Sequence, residues 1–279
     1  MKRRDFLATS AAVSAGLVLP RGIVRAQAGR QEADHRELAM RALDAARSAG
    51  ATYADVRVSR NRNQDLSTRE RQITGFEDSE TFGFGVRVLA GGAWGFAASR
   101  DLTLDEAARV ARQAVAQARA NAPARQRPVE LAPVERYADG QWRSPIEIDP
   151  FEVAIEDKVG LLLQANEAAL GAGARFVNSS MFFVREEKTF ASTEGTYTVQ
   201  TIYRSYPQMT VTAVGQGGGD FQTRLSTPVQ PMGLGYEHVR DARLVQNAPQ
   251  WAQDAVAKLS AKSVEPGRYD LVLMPSHLF

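Results

Sequence analysis

Cysteine is absent from all 279 residues, which excludes a disulfide framework and any thiolate metal site. Histidine is scarce. The three present, His35, His238 and His277, are too far apart for any two to chelate a metal from one helical turn. His35 reads as a solvated residue at a polar helix start. His238, inside Tyr236-Glu237-His238-Val239-Arg240, reads as a surface or local packing residue. No Gly-x-x-x-x-Gly-Lys-Ser/Thr phosphate loop and no Gly-x-Ser-x-Gly nucleophile elbow occur. Gly83-x-Gly85-x-x-Val88 lacks a third glycine and sits in a strand-like alternation, so it is no dinucleotide fingerprint.

Long apolar runs are also missing. The stretch Ala8–Leu19 is too short, and too rich in Ala and Ser, to span a bilayer as a stable helix. It follows Lys2-Arg3-Arg4-Asp5-Phe6-Leu7 and precedes Ala26-Gln27-Ala28, so charge, apolar run and small-x-small cleavage site come in the order of a signal peptide. The pair Arg3 and Arg4 marks the twin-arginine version, an address read by a receptor and not an anchor. Residues 1–28 are therefore expected to be a removable signal, with Ala26 and Ala28 flanking its cleavage, and the mature protein to be periplasmic or otherwise extracytoplasmic. Export by that route serves proteins that fold or load a cofactor before crossing the membrane.

The signal also explains the charge. It holds five basic residues (Lys2, Arg3, Arg4, Arg21, Arg25) and one acid, Asp5; without it the 34 basic and 32 acidic residues fall to 29 and 31. The formal charge moves from +2 to −2, and the pI near 9.0 is largely a property of the leader. No basic stripe remains for nucleic acid, and no charge run for a membrane surface.

What is present is an α+β pattern in two parts. Five of the twelve prolines (123, 128, 133, 145 and 150) fall in residues 122–150, which reads as an extended connector. Before it, residues 33–121 run helix, strands, helix. Leu38, Ala42, Ala45, Ala46 and Ala49 keep helical spacing up to a capping Gly50. Tyr53–Arg60 alternates, Asn61-Arg62-Asn63 reads as a turn, and polar strands follow at Gln64–Arg69 and Arg71–Glu77. Phe82, Phe84, Val86 and Val88 alternate into a turn at Gly91-Gly92, and Thr103-x-x-Glu106 is a capping-box signature opening an Ala-rich helix. After the connector, residues 151–262 give a helix over Phe151–Leu170 and strands at Arg175–Glu186, Thr189–Ser192, Thr196–Ser205 and Gln208–Val214. Glu194-Gly195 turns a hairpin, and Pro249 begins a further helix. Tyr269–Met274 in residues 263–279 reads as a short apolar strand. The expectation is two sub-domains of antiparallel sheet packed with helices.

Two local features invite a chemical reading. Glu186-Glu187 resembles an acid–base pair, but neighbours on a strand point to opposite faces, which favours a solvated strand end. The run Gly217, Gly218, Gly219 is the candidate substrate-contacting segment, where backbone could approach a ligand closely; a mobile connection is the plainer alternative.

Longer segments resemble the TldD/PmbA metallopeptidase family. The match lies in Ala51-Thr52-Tyr53-Ala54-Asp55-Val56-Arg57 after an Ala-rich helix, and in Gly83-Phe84-Gly85-Val86-Arg87-Val88 leading through Gly91-Gly92-Ala93-Trp94-Gly95-Phe96-Ala97. Ala191-Ser192-Thr193-Glu194-Gly195, the glycines at 217–219, and Pro266-Gly267-Arg268-Tyr269-Asp270-Leu271-Val272-Leu273 continue it. The resemblance spans roughly residues 33–279 and implies a zinc peptidase acting on peptides or unfolded segments, working as a homo- or heterodimer. Catalytic members carry a His-Glu-x-x-x-His helix soon after the last of these strands. Nothing in this sequence matches it, so no catalytic or metal-ligating residue is carried over. The ending of the sequence inside an apolar run reads as a truncation before the catalytic portion, leaving this chain inactive and zinc-free by itself. The alternatives are a non-catalytic PmbA/TldE-like partner subunit and a stand-alone periplasmic binding module.

Overall fold

The structure is a computed structural model that describes the backbone of residues 21–226 and 229–274, with side chains from residue 35 onward. Arg3 and Arg4 of the expected signal lie outside the described residues. Ala26 and Ala28 fall within the backbone of the first helix, α1 (Arg21–Ser48). Among the described residues, no helix is long and apolar enough to cross a membrane.

The architecture is α+β: one seven-stranded sheet with helices on one face. Its strands are β1 (Tyr53–Arg69), β2 (Gln72–Ala90), β3 (Ala93–Ser99), β4 (Gly140–Arg143), β5 (Phe176–Ser192), β6 (Tyr197–Val214) and β7 (Phe221–Leu225). Their order is β3-β2-β1-β5-β6-β4, with β7 also on β6. All pairings are antiparallel except β4 with β6. The long β1–β5 pairing, from Asp55↔Ser192 to Arg69↔Asn178, joins the regions before and after the proline-rich connector into one sheet.

Alternation sets the two faces. Ala54, Val56, Val58 and Leu66 of β1 point to the same side as Met181, Phe183 and Ala191 of β5 and are buried there. Two hydrophobic cores share that face. The first packs Leu38, Ala42, Leu43 and Ala46 of α1 and the alanines of α2 (Leu104–Asn121) on Val56, Val58, Phe84, Val86 and Val88. The second packs α3 (Ile155–Gly171), α4 (Glu237–Ala242) and α5 (Leu244–Lys258) on Leu66, Val177, Met181, Phe183, Met209 and Val211. Small side chains let α2 close on the sheet. A methyl group at Gly95 of β3 would run into the Ala114 carbonyl oxygen and come within 2.6 Å of the Ala118 nitrogen.

Several expected boundaries shift. Asn61-Arg62-Asn63 is no turn, because β1 runs through it, each residue paired on both sides, with Arg62 held by Asp78 of β2 at 2.8 and 2.9 Å. The turn comes at Glu70, whose φ of 46° supplies the left-handed step. The four strands expected after α3 are two uninterrupted ones, β5 and β6, and Pro207 lies inside β6 opposite Met181. α3 starts at Ile155 rather than Phe151. α5 starts at Leu244, after Arg243 at φ 47°, so Pro249 lies inside it, six residues into the helix rather than at its first position. The connector contributes an element of its own, β4. Tyr269–Met274 forms no strand among the described residues, and Leu271 and Val272 are exposed. Of the capping box only half forms. Thr103 Oγ1 accepts from the Glu106 amide at 3.3 Å, while the Glu106 carboxylate turns to Arg109.

Candidate functional site

With both cores on one face, no helix packs on the other among the described residues. The same alternation that buries Ala54, Val56 and Val58 turns Asp55, Arg57, Ser59 and Asn61 to this helix-free face. Register brings Arg87, Gly85, Gly83 and Thr81 of β2 beside them. Together with Phe96 and Ala98 of β3 and Arg100 they line an open groove of about 560 Å³.

Its anchor is Asp55, whose side chain is only 1% exposed. Arg87 reaches Asp55 Oδ2 from Nε at 2.8 Å and from Nη2 at 2.7 Å. Arg57 Nη1 lies 3.4 Å from Oδ1, an oxygen that accepts no hydrogen bond among the described residues. Aromatic rings brace both cations, Trp94 under Arg87 at 4.7 Å and Phe190 under Arg57 at 5.4 Å. The Tyr53 ring meets Trp94 edge-on at 6.0 Å, and burial beside the Asp55 carboxylate pushes its hydroxyl up to about 12. Gly83 and Gly85 form the floor. A methyl group at Gly85 would meet the Phe96 ring at 2.8 Å, and one at Gly83 the Ser99 carbonyl at 2.9 Å.

The groove adjoins a free strand edge. β3 covers β2 only from Phe84 to Ala90, so Gln72–Phe82 pairs with β1 on one side and with no strand on the other among the described residues. Ile73 and Phe76 on this stretch are exposed. Unpaired backbone donors and acceptors of this kind are a template for an added strand.

The glycine run does not join the groove. It lies between β6 and β7, at the end of the sheet where Phe176 of β5 pairs with Thr212, whereas the groove lies at the Ser192 end. Gly217 and Gly218 take φ of 93° and 76°, and a side chain at any of Gly217, Gly218 or Gly219 would meet nothing within 4 Å. Glu186 and Glu187 lie inside β5, not at a strand end. They face opposite sides, the first between Lys188 (3.4 Å) and Arg204 (3.2 Å), the second with Arg185 (3.3 Å). His35 packs its ring on Phe82 at 5.6 Å instead of standing in solvent. His238 Nε2 is 2.7 Å from the Gln230 carbonyl, a local packing role. His277 lies outside the described residues. Among the described residues no three His, Asp or Glu side chains converge to hold a metal.

A second polar centre was not legible beforehand. Lys158 of α3 is fully buried; its ammonium donates to Gln64 Oε1 and to the Pro150 carbonyl and rests over the Phe183 ring at 4.8 Å. Gln64 passes a hydrogen bond on to Asp78 at 2.9 Å. Nearby, the Tyr203 hydroxyl donates to Asp149 at 2.7 Å, and burial raises it to about 12. The site is enclosed, and its role is to bind α3 to the sheet.

One sheet with two one-sided cores, an arginine-lined open face and a free strand edge defines an architecture built to present extended surface. Two family profiles match it in order: PmbA/TldA metallopeptidase domain 1 over residues 54–118, and the central domain of the same family over residues 148–262. The chain belongs to the PmbA/TldD family. It is 22% identical over 223 residues to a metalloprotease of Methanocaldococcus jannaschii, covering 80% of this chain and 48% of that protein. Its fold is shared with two crystal structures of candidate modulators of DNA gyrase. That from Bacteroides thetaiotaomicron has TM-score 0.62 and 16% identity, covering 84% of this chain and 52% of the other. That from Thermotoga maritima has TM-score 0.61 and 14% identity, covering 84% and 50%. TldE from Thermococcus kodakarensis superposes with TM-score 0.50 and 16% identity over 78% of this chain and 46% of its own. The chain thus spans about half the length of the relatives it matches.

Proposed function

We propose that this chain is the substrate-holding front half of an exported metallopeptidase of the TldD type. The observation that carries the reading is the free edge of β2, Gln72–Phe82, running alongside the helix-free face. An unfolded peptide can add there as an extended strand, with backbone hydrogen bonds independent of its sequence and alternate side chains laid on the face. Among the described residues no metal centre forms, so no catalytic step is assigned to them, and zinc held by residues outside the described ones is part of the proposal. Export by the twin-arginine route, directed by Arg3 and Arg4, is part of the proposal, as is pairing with a second family member. The likeness to TldE favours one further reading, a non-catalytic partner subunit that uses the same edge to present peptide to an active one.

Backbone hydrogen–deuterium exchange on the purified chain tests the holding role. Amides of Gln72–Phe82 should gain protection when an unstructured peptide is added, while those of β5 stay unchanged. Protection elsewhere, with none on β2, would refute the edge as the binding element.

A further inference from the structure

We propose that the groove beside this edge selects a carboxylate on the bound peptide, through Arg57 and Arg100. The inference rests on the peptide-holding reading above and adds a substrate class to it.

Charge counting is the first support. Three guanidinium groups, Arg57, Arg87 and Arg100, line the groove against a single acid, Asp55. Asp55 is buried and already engaged by Arg87 through two contacts to Oδ2. Arg57 meets it only at 3.4 Å and keeps its side chain 44% exposed. Arg100 is exposed and makes no ion pair among the described residues. The groove therefore carries an excess of two positive charges, and the planar donor fork of arginine fits a carboxylate better than any neutral group.

Shape is the second. Gly83 and Gly85 bring no side chains of their own to the floor, and the exposed Phe96 ring comes within 2.8 Å of where a Gly85 side chain would begin. Thr81, Ser59, Asn61 and Ser99 add hydroxyl and amide groups around it. Continuity is the third. Thr81 and Phe82 belong both to the groove lining and to the unpaired edge. A chain added to that edge reaches the groove where β3 ends at Ser99, beside Arg100. Its carboxylate comes either from an Asp or Glu side chain facing the groove or from its C-terminus.

The test is fluorescence anisotropy with the 279-residue chain and rhodamine-labelled ten-residue peptides of Ser and Gly carrying three Glu, three Lys, or neither. The Glu peptide is used with a free and with an amidated C-terminus, and so is the neutral one. Variants are Arg100→Gln, Arg57→Gln and the pair, with Arg112→Gln on the exposed side of α2 as control and thermal melts as the check on folding. If a side chain supplies the carboxylate, the Glu peptide should bind at least about tenfold tighter than the Lys peptide at low salt, with the gap closing at high salt; if the C-terminus supplies it, amidation should weaken binding by at least about tenfold. Arg100→Gln, which breaks no ion pair among the described residues, should remove several-fold of that preference and the double variant most of it, while Arg112→Gln changes nothing. Tight binding of the neutral peptide that is lost on amidation assigns the C-terminus; a preference for the Glu peptide that survives amidation assigns side chains. Equal binding of Glu and Lys peptides with no loss on amidation of the neutral one, no binding of any peptide, or selectivity untouched by Arg100→Gln overturns the proposal. These results leave the peptidase reading standing, since that is decided separately by metal-dependent cleavage.

Discussion

Lys158 and Gln64, 94 residues apart, are joined by a buried hydrogen bond from the ammonium of one to the amide oxygen of the other. The pair ties the first turn of α3 to the middle of β1, and so ties the part of the chain after the connector to the part before it. Truncation by Lys158→Ala would leave Gln64 Oε1 and the Pro150 carbonyl buried without their donor. The expected loss is about 3 kcal/mol in urea unfolding.

The same lysine sets a pH dependence. Burial, with repulsion from Arg62, lowers it from 10.5 to about 8, against the opposing pull of Asp78 and Asp149. A folded-state value below the unfolded one means that the charged form weighs against folding. The penalty is full below pH 8 and is relieved as pH rises from 8 toward 10.5. Wild-type stability minus that of Lys158→Met should therefore increase between pH 7.5 and pH 10, measured by urea unfolding. Tyr53 and Tyr203, both raised to about 12, act oppositely above pH 10 but are common to both proteins and cancel. A flat difference would show that Lys158 is not perturbed.

Asn166 of α3 makes a second tie. Its Nδ2 donates to Thr68 Oγ1 and to the Glu70 carbonyl, each at 2.9 Å, and its Oδ1 accepts from Ser179 Oγ at 2.8 Å. Asn166→Ala removes three hydrogen bonds at once, leaving Thr68 and Ser179 with only each other, and should cost about 2 to 4 kcal/mol. Thr68→Val, which removes one hydroxyl and keeps the shape, should cost clearly less. Equal costs would contradict the view that Asn166 is the hub.

Gly95→Ala adds one methyl group where β3 touches α2. Since the obstacle is helix backbone and not a movable side chain, α2 has to shift off the sheet, at an expected cost of about 2 to 4 kcal/mol. Gly219→Ala, with open space around it, should change stability by less than about 1 kcal/mol. Thermal melts of the two variants decide this.

How much of this the sequence carried depends on the range of the interaction. Alternation over Phe82–Val88 and helical spacing from Leu38 to Ala49 are local, and both elements stand where periodicity puts them. The strand interior at Asn61-Arg62-Asn63 was hidden because polar residues there are held by cross-strand partners such as Asp78, which no local window contains. Lys158 was hidden for the same reason: its acceptors come from β1 and from Pro150. Asp55 and Arg87 stood inside the quoted family segments, but only the register of β1 with β2 shows that they meet.

The measurement that goes furthest is metal content and peptide hydrolysis, taken side by side on this 279-residue chain and on the protein made from the reading frame continued past Phe279. The account predicts that the longer protein binds zinc stoichiometrically and cleaves an unstructured peptide in a chelator-sensitive way, while the chain alone binds peptide but neither holds zinc nor cleaves. Stoichiometric zinc and hydrolysis by the chain alone would contradict it.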